Sequence, residues 1–335
     1  MATTGRSPTS VRQPPGDQPS GATALRDVHT SRRGDVAFRW LSQSSGWLIL
    51  LLMAAVAAFL VLKAVPAITH DKSDFFATQV WDPDGTGKFG IAALAFGTLL
   101  SSVLALIIGV PVAVGVALYI SHYAPRTIAR PLAYVVDLLA AVPSVVFGLW
   151  GAVYLSPNLI PLSQFLSRYF GWIWLFRSTN ETFGKSILVA AVVLAVMMLP
   201  IVAAISREVF VQAPTEHVEG ALALGATKWE TMRMAVLPYG RSGVISAVVL
   251  GFGRAVGETI AVALVLSSTY HISWRILDPG GNTIAANIAN RWGDASSPIS
   301  QGALIASGLV LFGITLVVNF GARAIARRGT RKASA

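Results

Sequence analysis

The sequence predicts an all-α polytopic membrane protein of about six transmembrane helices. Three observations predict it. The 335-residue chain is 54% apolar and only 13% charged, against about 25% charged in soluble domains. The apolar residues fall into six runs, near 45–66, 90–120, 132–155, 184–206, 242–268 and 302–322, each close to the roughly 20 helical residues that a hydrocarbon core requires. Most of the 26 Lys and Arg residues flank alternate ends of those runs, which orients a membrane protein with both termini in the cytoplasm. The net charge of +10 therefore reads as membrane orientation rather than nucleic-acid binding, for which no motif is present.

In chain order, residues 1–44 are rich in Pro, Gly, Ser, Thr and Arg and predict a disordered cytoplasmic tail. Arg32, Arg33 and Arg39 anchor its end at anionic headgroups. The membrane domain spans 45–325, and Arg327, Arg328, Arg331 and Lys332 make 326–335 a basic cytoplasmic tail. No cleavable signal peptide is evident, because the first apolar run starts too deep and is too long. With no Cys, disulfides, Cys-based metal sites and thiol chemistry are excluded. No HExxH, Ser/Lys dyad in a clear setting or Cys/His cluster marks an intramembrane enzyme, so no catalytic or metal-ligating residue is assigned. The outer loop at 67–89 carries Asp71, Asp74, Asp82 and Asp84. Its Gly85-Thr-Gly-Lys88-Phe89 is not a P-loop, since Asp82 stands where Gly is required and Phe89 where Ser or Thr is.

The second run passes through Gly109-Val-Pro111, read as a packing helix that tolerates Pro. The third contains Val142-Pro143-Ser144, where Pro frees a carbonyl that Ser144 or water can satisfy. That break is either a packing kink or the lining of a transport path. Asp137 is expected near the inner boundary, paired with Arg130 or a neighbouring subunit. Residues 156–182 include Tyr169, Trp172 and Trp174, an expected interfacial belt. The polar 270–300 segment, with Asn282, Asn287, Asn290, Arg291 and Asp294, is expected outside as an exposed loop.

Two stretches carry function. The first is the cytoplasmic segment 207–240, read as two short helices with a break. Thr215 caps the first, Glu216 and Glu219 favour its dipole, and Gly225 supplies the positive φ that ends it. Thr227-Lys-Trp-Glu230 is a capping box that restarts a helix. Trp229, Met232 and Val236 share its apolar face, and Pro238 ends it. Such a stiff elbow is either an interfacial hairpin or a handle for an outside partner. The second stretch is Gly251-Phe-Gly253-Arg254-Ala-Val-Gly257-Glu258-Thr259. Arg254 and Glu258 are four apart, so they share one helix face within the fifth run. Charges at that depth normally face a cavity or a partner, although a local salt bridge is the plainer alternative. The surrounding glycines leave room for an anion or another helix. A guanidinium offers a fork of donors to a tetrahedral oxyanion, and an ionised carboxylate only accepts. Hydrogen phosphate has a proton to give Glu258, whereas sulfate at neutral pH has none.

The elbow resembles the coupling loop of ABC-importer permeases, E-A-A-x3-G-x9-I-x-L-P. Glu219, Ala221, Gly225, Leu237 and Pro238 match it in register, with Gly220 in place of Ala and Ala235 in place of Ile. The segment 251–259, with Val142–Gly151 and Ser121–Arg126, is similar to the C-type permease subunit of the phosphate-specific ABC family, over about residues 45–325. His122 stands where that family carries an acidic residue. The resemblance implies a phosphate importer working by alternating access, with Arg254, Glu258 and Thr259 in the substrate path. It adds Pro143 and Ser144 as candidate lining of that path, and has Glu219, Gly220, Ala221, Gly225, Leu237 and Pro238 contact an ATPase. It also implies a location in the inner cell membrane. The expected partners are membrane lipid, an A-type permease, a dimer of ATPase subunits that bind the ATP and Mg, and an external phosphate-binding protein. The alternatives are a permease for sulfate or molybdate, and a carrier or channel driven by an ion gradient.

Overall fold

The computed structural model describes residues 32–178 and 183–333, with side chains described within these from Gly34 through Ala324. The expected disorder of 1–31 lies outside the described residues, as do the side chains of the basic C-terminal tail. The chain divides into two units, 1–55 and 56–335. In the first, the helix α1 (Arg32–His70) begins well before the expected start near residue 45 and carries Trp40, Trp47 and Leu51 exposed. The segment 32–44 is thus helical, contrary to the tail boundary expected at 44. Its polar residues continue a helix that the apolar run behind them nucleates.

Among the described residues the larger unit is mostly helical, with one two-stranded hairpin and an isolated bridge between Ser186 and Pro279. After the end of α1 come β1 (Trp81–Asp82) and β2 (Lys88–Phe89), paired antiparallel with Trp81 opposite Phe89. The Asp82 carboxylate accepts from the Gly85 and Thr86 amides and closes the turn, so this stretch is a hairpin, as its missing P-loop residues require. Then follow α2 (Ala92–Leu118), α3 (Arg126–Ala140), α4 (Ser144–Trp150), α5 (Ser156–Asn158), α6 (Ile160–Phe170) and α7 (Ile187–Val211). The chain continues through α8 (Thr215–Ala223), α9 (Lys228–Thr231), α10 (Leu237–Gly257), α11 (Ile260–Val265), α12 (Ile284–Arg291) and α13 (Pro298–Ala333). Among the described residues, five helices are long and apolar enough to cross a membrane, and the bent pair α3–α4 makes a sixth candidate.

The centre of the bundle is α7, 72% of whose apolar stretch is buried. It is rich in Ala and Val, and it packs against α2, α10 and α3. A Cβ on Gly109 of α2 would meet the Ala195 carbonyl at 3.2 Å. Small residues at that crossing let the two backbones approach, which supplies the dispersion contact that holds helices together in lipid.

Two expected spans are not continuous helices. The run 132–155 bends by 91° between α3 and α4. Val142 precedes Pro143, a context that disfavours helical backbone, and Pro143 then starts the new helix at its N-cap. The run 242–268 breaks after Gly257. Glu258 is extended (φ −69°, ψ 128°), and its Oε1 accepts from the Ala261 amide at 3.3 Å. A carboxylate that satisfies a helix-start amide competes with the uninterrupted ladder that the apolar pattern suggested.

The 270–300 segment is exposed only in part: Asn290, Arg291 and Asp294 lie at the surface, while its middle is buried. Asn282 is 2% exposed and Asn287 is fully buried. The Ile284 amide donates to Thr98 Oγ1 on α2 at 3.0 Å, and Thr283 caps α12 through the Ala286 amide. Tyr270 Oη donates to Asn287 Oδ1 at 2.8 Å. A long-range polar network carries these asparagines inside: Asn287 Oδ1 accepts from Tyr270 and from Asn282, while its Nδ2 is buried without a partner among the described residues.

Candidate functional site

The site is built where α10 ends and α4 begins. A Cβ on Gly148 of α4 would meet Ala261 and Leu264 of α11, and one on Gly151 would meet Val265. Numbering rises together on both helices, so they run in the same sense. Their starts, Ser144 and Ile260, therefore lie at the same end of the pair. The two interruptions, at Pro143–Ser144 and at Glu258–Thr259, are side by side. Non-helical backbone at membrane depth is tolerated where it is buried in protein or lines a cavity.

Arg254 lies on the last turn of α10, half-buried, on a cavity of 730 Å³. The cavity is lined by Ser246 and Gly253 of α10 and by Asn319 and Arg323 of α13, with apolar residues completing it. Among the described residues no ion pair joins Arg254 to Glu258, so the local salt bridge is not what holds them. The shared helix face expected for the pair is also absent, because Glu258 lies beyond the helix end. Thr259 Oγ1 donates to the Gly257 carbonyl at 3.2 Å. Of the glycines, Gly253 and Gly257 are bare, with nothing within 4 Å of a built Cβ. Gly251 is not: it packs against Val202 and Met198 of α7.

The elbow is the second element. Residues 215–230 are almost wholly exposed, including Glu219, Gly220, Gly225 and Leu224, the last at 91%. Gly225 has φ +85° and closes α8. The Thr227–Glu230 capping box is complete in both directions. Three local expectations are corrected. Pro214, not Thr215, holds the N-cap of α8, and Thr215 is the first helical residue. Trp229 is 57% exposed, while Met232 and Val236 are buried with Phe210, Ala117 and Leu118. Pro238 does not end the second helix. A π-turn at 232–236 leads into α10, whose first turn takes Pro238, a position where its missing N–H costs nothing.

A long apolar bundle, two broken helices beside one another and an exposed glycine-hinged elbow agree with the comparisons. Residues 109–331 match the family described as binding-protein-dependent transport system inner membrane component.

The chain belongs to this family of membrane transport components.

The "Phosphate transport system permease protein PstC 2" of Mycobacterium tuberculosis is 47% identical over 305 residues, covering 90% of this chain and 94% of the relative. The Xylella fastidiosa "Phosphate transport system permease protein PstC" is 36% identical over 327 residues, covering 97% and 99%. A bacterial alginate ABC transporter, solved with an alginate pentasaccharide-bound periplasmic protein, aligns at TM-score 0.58 and 17% identity. It covers 88% of this chain and 96% of that one, and it shows the permease fold.

Two features of this permease were not legible in its sequence. Arg323 and Asn319 share the Arg254 cavity, although Arg323 reads as the end of the last span. Their i,i+4 spacing on one face of α13 is the signal that was available. Asp137 pairs with Arg207 of α7 at 3.7 Å, not with Arg130. A 91° bend sets the direction of α3, which sequence spacing does not report.

Proposed function

We propose that this chain is the C-type permease subunit of an ATP-driven phosphate importer, seated in the inner membrane with both termini in the cytoplasm. The observation that carries the reading is Arg254: a half-buried cation on a 730 Å³ cavity, with no carboxylate partner among the described residues. A cation at that depth is costly unless an anion or water meets it. The adjoining break at Glu258–Thr259, next to that at Pro143–Ser144, adds a carboxylate with one oxygen on the Ala261 amide. Phosphate, which retains a proton to donate, suits an arginine and an acceptor together; sulfate does not. The names of the relatives support phosphate as the cargo.

No nucleotide-binding motif is present in the sequence, so ATP and Mg are held by a dimer of ATPase partners. Their contact is the elbow, where Leu222, Leu224, Trp229 and Met234 stand in solvent around Gly225. An A-type permease completes the path, and an external phosphate-binding protein delivers the ion. Closure of the ATPases moves the elbow, and rigid-body rocking turns the path from outward to inward facing.

The test is ATP-dependent uptake in vesicles that hold the reconstituted complex. Arg254→Gln is expected to lower phosphate uptake by at least about tenfold, the loss of a charge-assisted hydrogen bond, with the complex still assembled. Equal uptake of phosphate and sulfate by the parent would overturn the assignment of cargo.

A further inference from the structure

The cavity beside Arg254 is larger than one oxyanion requires, and its charge is unbalanced. Two of its lining residues are cationic, Arg254 on α10 and Arg323 on α13, and none is acidic. Neither guanidinium has an ion pair or hydrogen bond among the described residues. Asn319 lies one helical turn from Arg323, so its amide and the guanidinium share a face. Ser246 lines the same space, two turns before Arg254, or about 12 Å along α10. The remaining lining is apolar, including Ile201, Val249 and Leu250. Arg254 and Asn319 are half-buried, whereas Arg323 and Ser246 are exposed, and a cleft lined by charge of one sign beside apolar walls attracts an anion.

We propose that Arg323 and Asn319, with Ser246 across the cavity, form a second phosphate-oxyanion site on the cytoplasmic side of Arg254. This rests on the phosphate-importer reading and deepens it. Arg323 supplies a planar pair of donors, the Asn319 amide a third, and the Ser246 hydroxyl, whose hydrogen is engaged by the Ser242 carbonyl at 2.9 Å, an acceptor for a protonated phosphate oxygen. The ion leaves Arg254 for this site on its way inward. The same donors also fit the phosphodiester of an anionic lipid, so the experiment separates the two sources.

The full complex is reconstituted in two kinds of vesicle, one of phosphatidylcholine alone and one that also contains phosphatidylglycerol. The maximal rate of ATP-dependent phosphate uptake is read for the parent, Arg323→Gln, Arg323→Lys and Arg323→Gln/Asn319→Ala. A site for the transported ion predicts that Arg323→Gln lowers the rate about tenfold in both vesicles, that the double variant falls further, and that Arg323→Lys recovers part of the loss. A lipid site predicts that phosphatidylglycerol stimulates the parent and that Arg323→Gln abolishes only this stimulation. Recovery of the intact complex by size exclusion separates either result from misfolding. Parent-like rates and an unchanged lipid response in both variants overturn the site. If Arg254→Gln still stops uptake in that case, the importer reading stands. If the parent itself takes up no phosphate, both fail.

Discussion

At the scale of single residues, the elbow holds two devices that act through the backbone. Gly225 sits at φ +85° with open space around it. Any Cβ there meets no neighbour, so Gly225→Ala is strained by its dihedral angles alone. The expected cost is about 1–2 kcal/mol of local elbow stability, read as fewer phosphate ions moved per ATP hydrolysed by the assembled complex. Glu230 accepts from the Thr227 amide at 2.8 Å, and this bond holds its carboxyl below the ordinary value of 4.5. The folded pKa is the lower one. The contribution of the cap is therefore fully present above pH 4.5 and is lost as pH falls through the lowered value. Hydrogen-exchange protection of the α9 amides should decline in that acid window in the parent and stay flat in Glu230→Gln. Both devices were legible in the sequence, because a cap and a helix stop are written within three or four residues of the groups they serve.

At the scale of elements, the decisive contacts join parts of the chain that are far apart in sequence. A Cβ on Gly97 would run into the Asn282 carbonyl, so that glycine is what lets the segment before α12 lie against α2. Gly97→Ala should separate the Ile284 amide from Thr98 Oγ1 and cost about 1–3 kcal/mol, as overpacking does. A thermal shift of the purified complex measures it. Asn282 sits in a polar, turn-like stretch, Pro279-Gly-Gly-Asn-Thr283, that does not announce burial, whereas Asn287 sits among Ile284, Ala285, Ala286 and Ile288, the apolar run that forms α12. The break after Gly257 was hidden for the opposite reason. Apolar runs flank it on both sides, and the extended backbone of Glu258 with the bond from the Ala261 amide shows where one helix stops and another begins.

At the scale of the whole molecule, the elbow must be linked to the broken helices for ATP to drive transport. The helix α7 runs into the elbow, and Arg207 near its end pairs with Asp137 of α3 at 3.7 Å. α3 in turn carries the 91° bend to α4 and the break at Pro143. Asp137 is half-exposed, and an ion pair of that kind contributes at most about 1 kcal/mol to stability. Asp137→Asn should therefore leave assembly intact. It should lower uptake relative to ATP hydrolysis if the pair transmits elbow motion, and the ratio of the two rates in the same vesicles checks it.

The sequence by itself determined that the chain lives in a membrane, where its six apolar runs lie, that Arg254 stands among oil-soluble neighbours, and that the elbow stops at Gly225 and restarts at the Thr227–Glu230 cap. Each of these rests on composition or on residues within one turn of one another. The tertiary structure alone decided that two interruptions lie side by side, that Arg323 and Asn319 join the Arg254 cavity, and that Asn287 is inside. Those facts depend on which helices touch and in which direction. That choice is made by close packing across the bundle, to which residues distant along the chain contribute together.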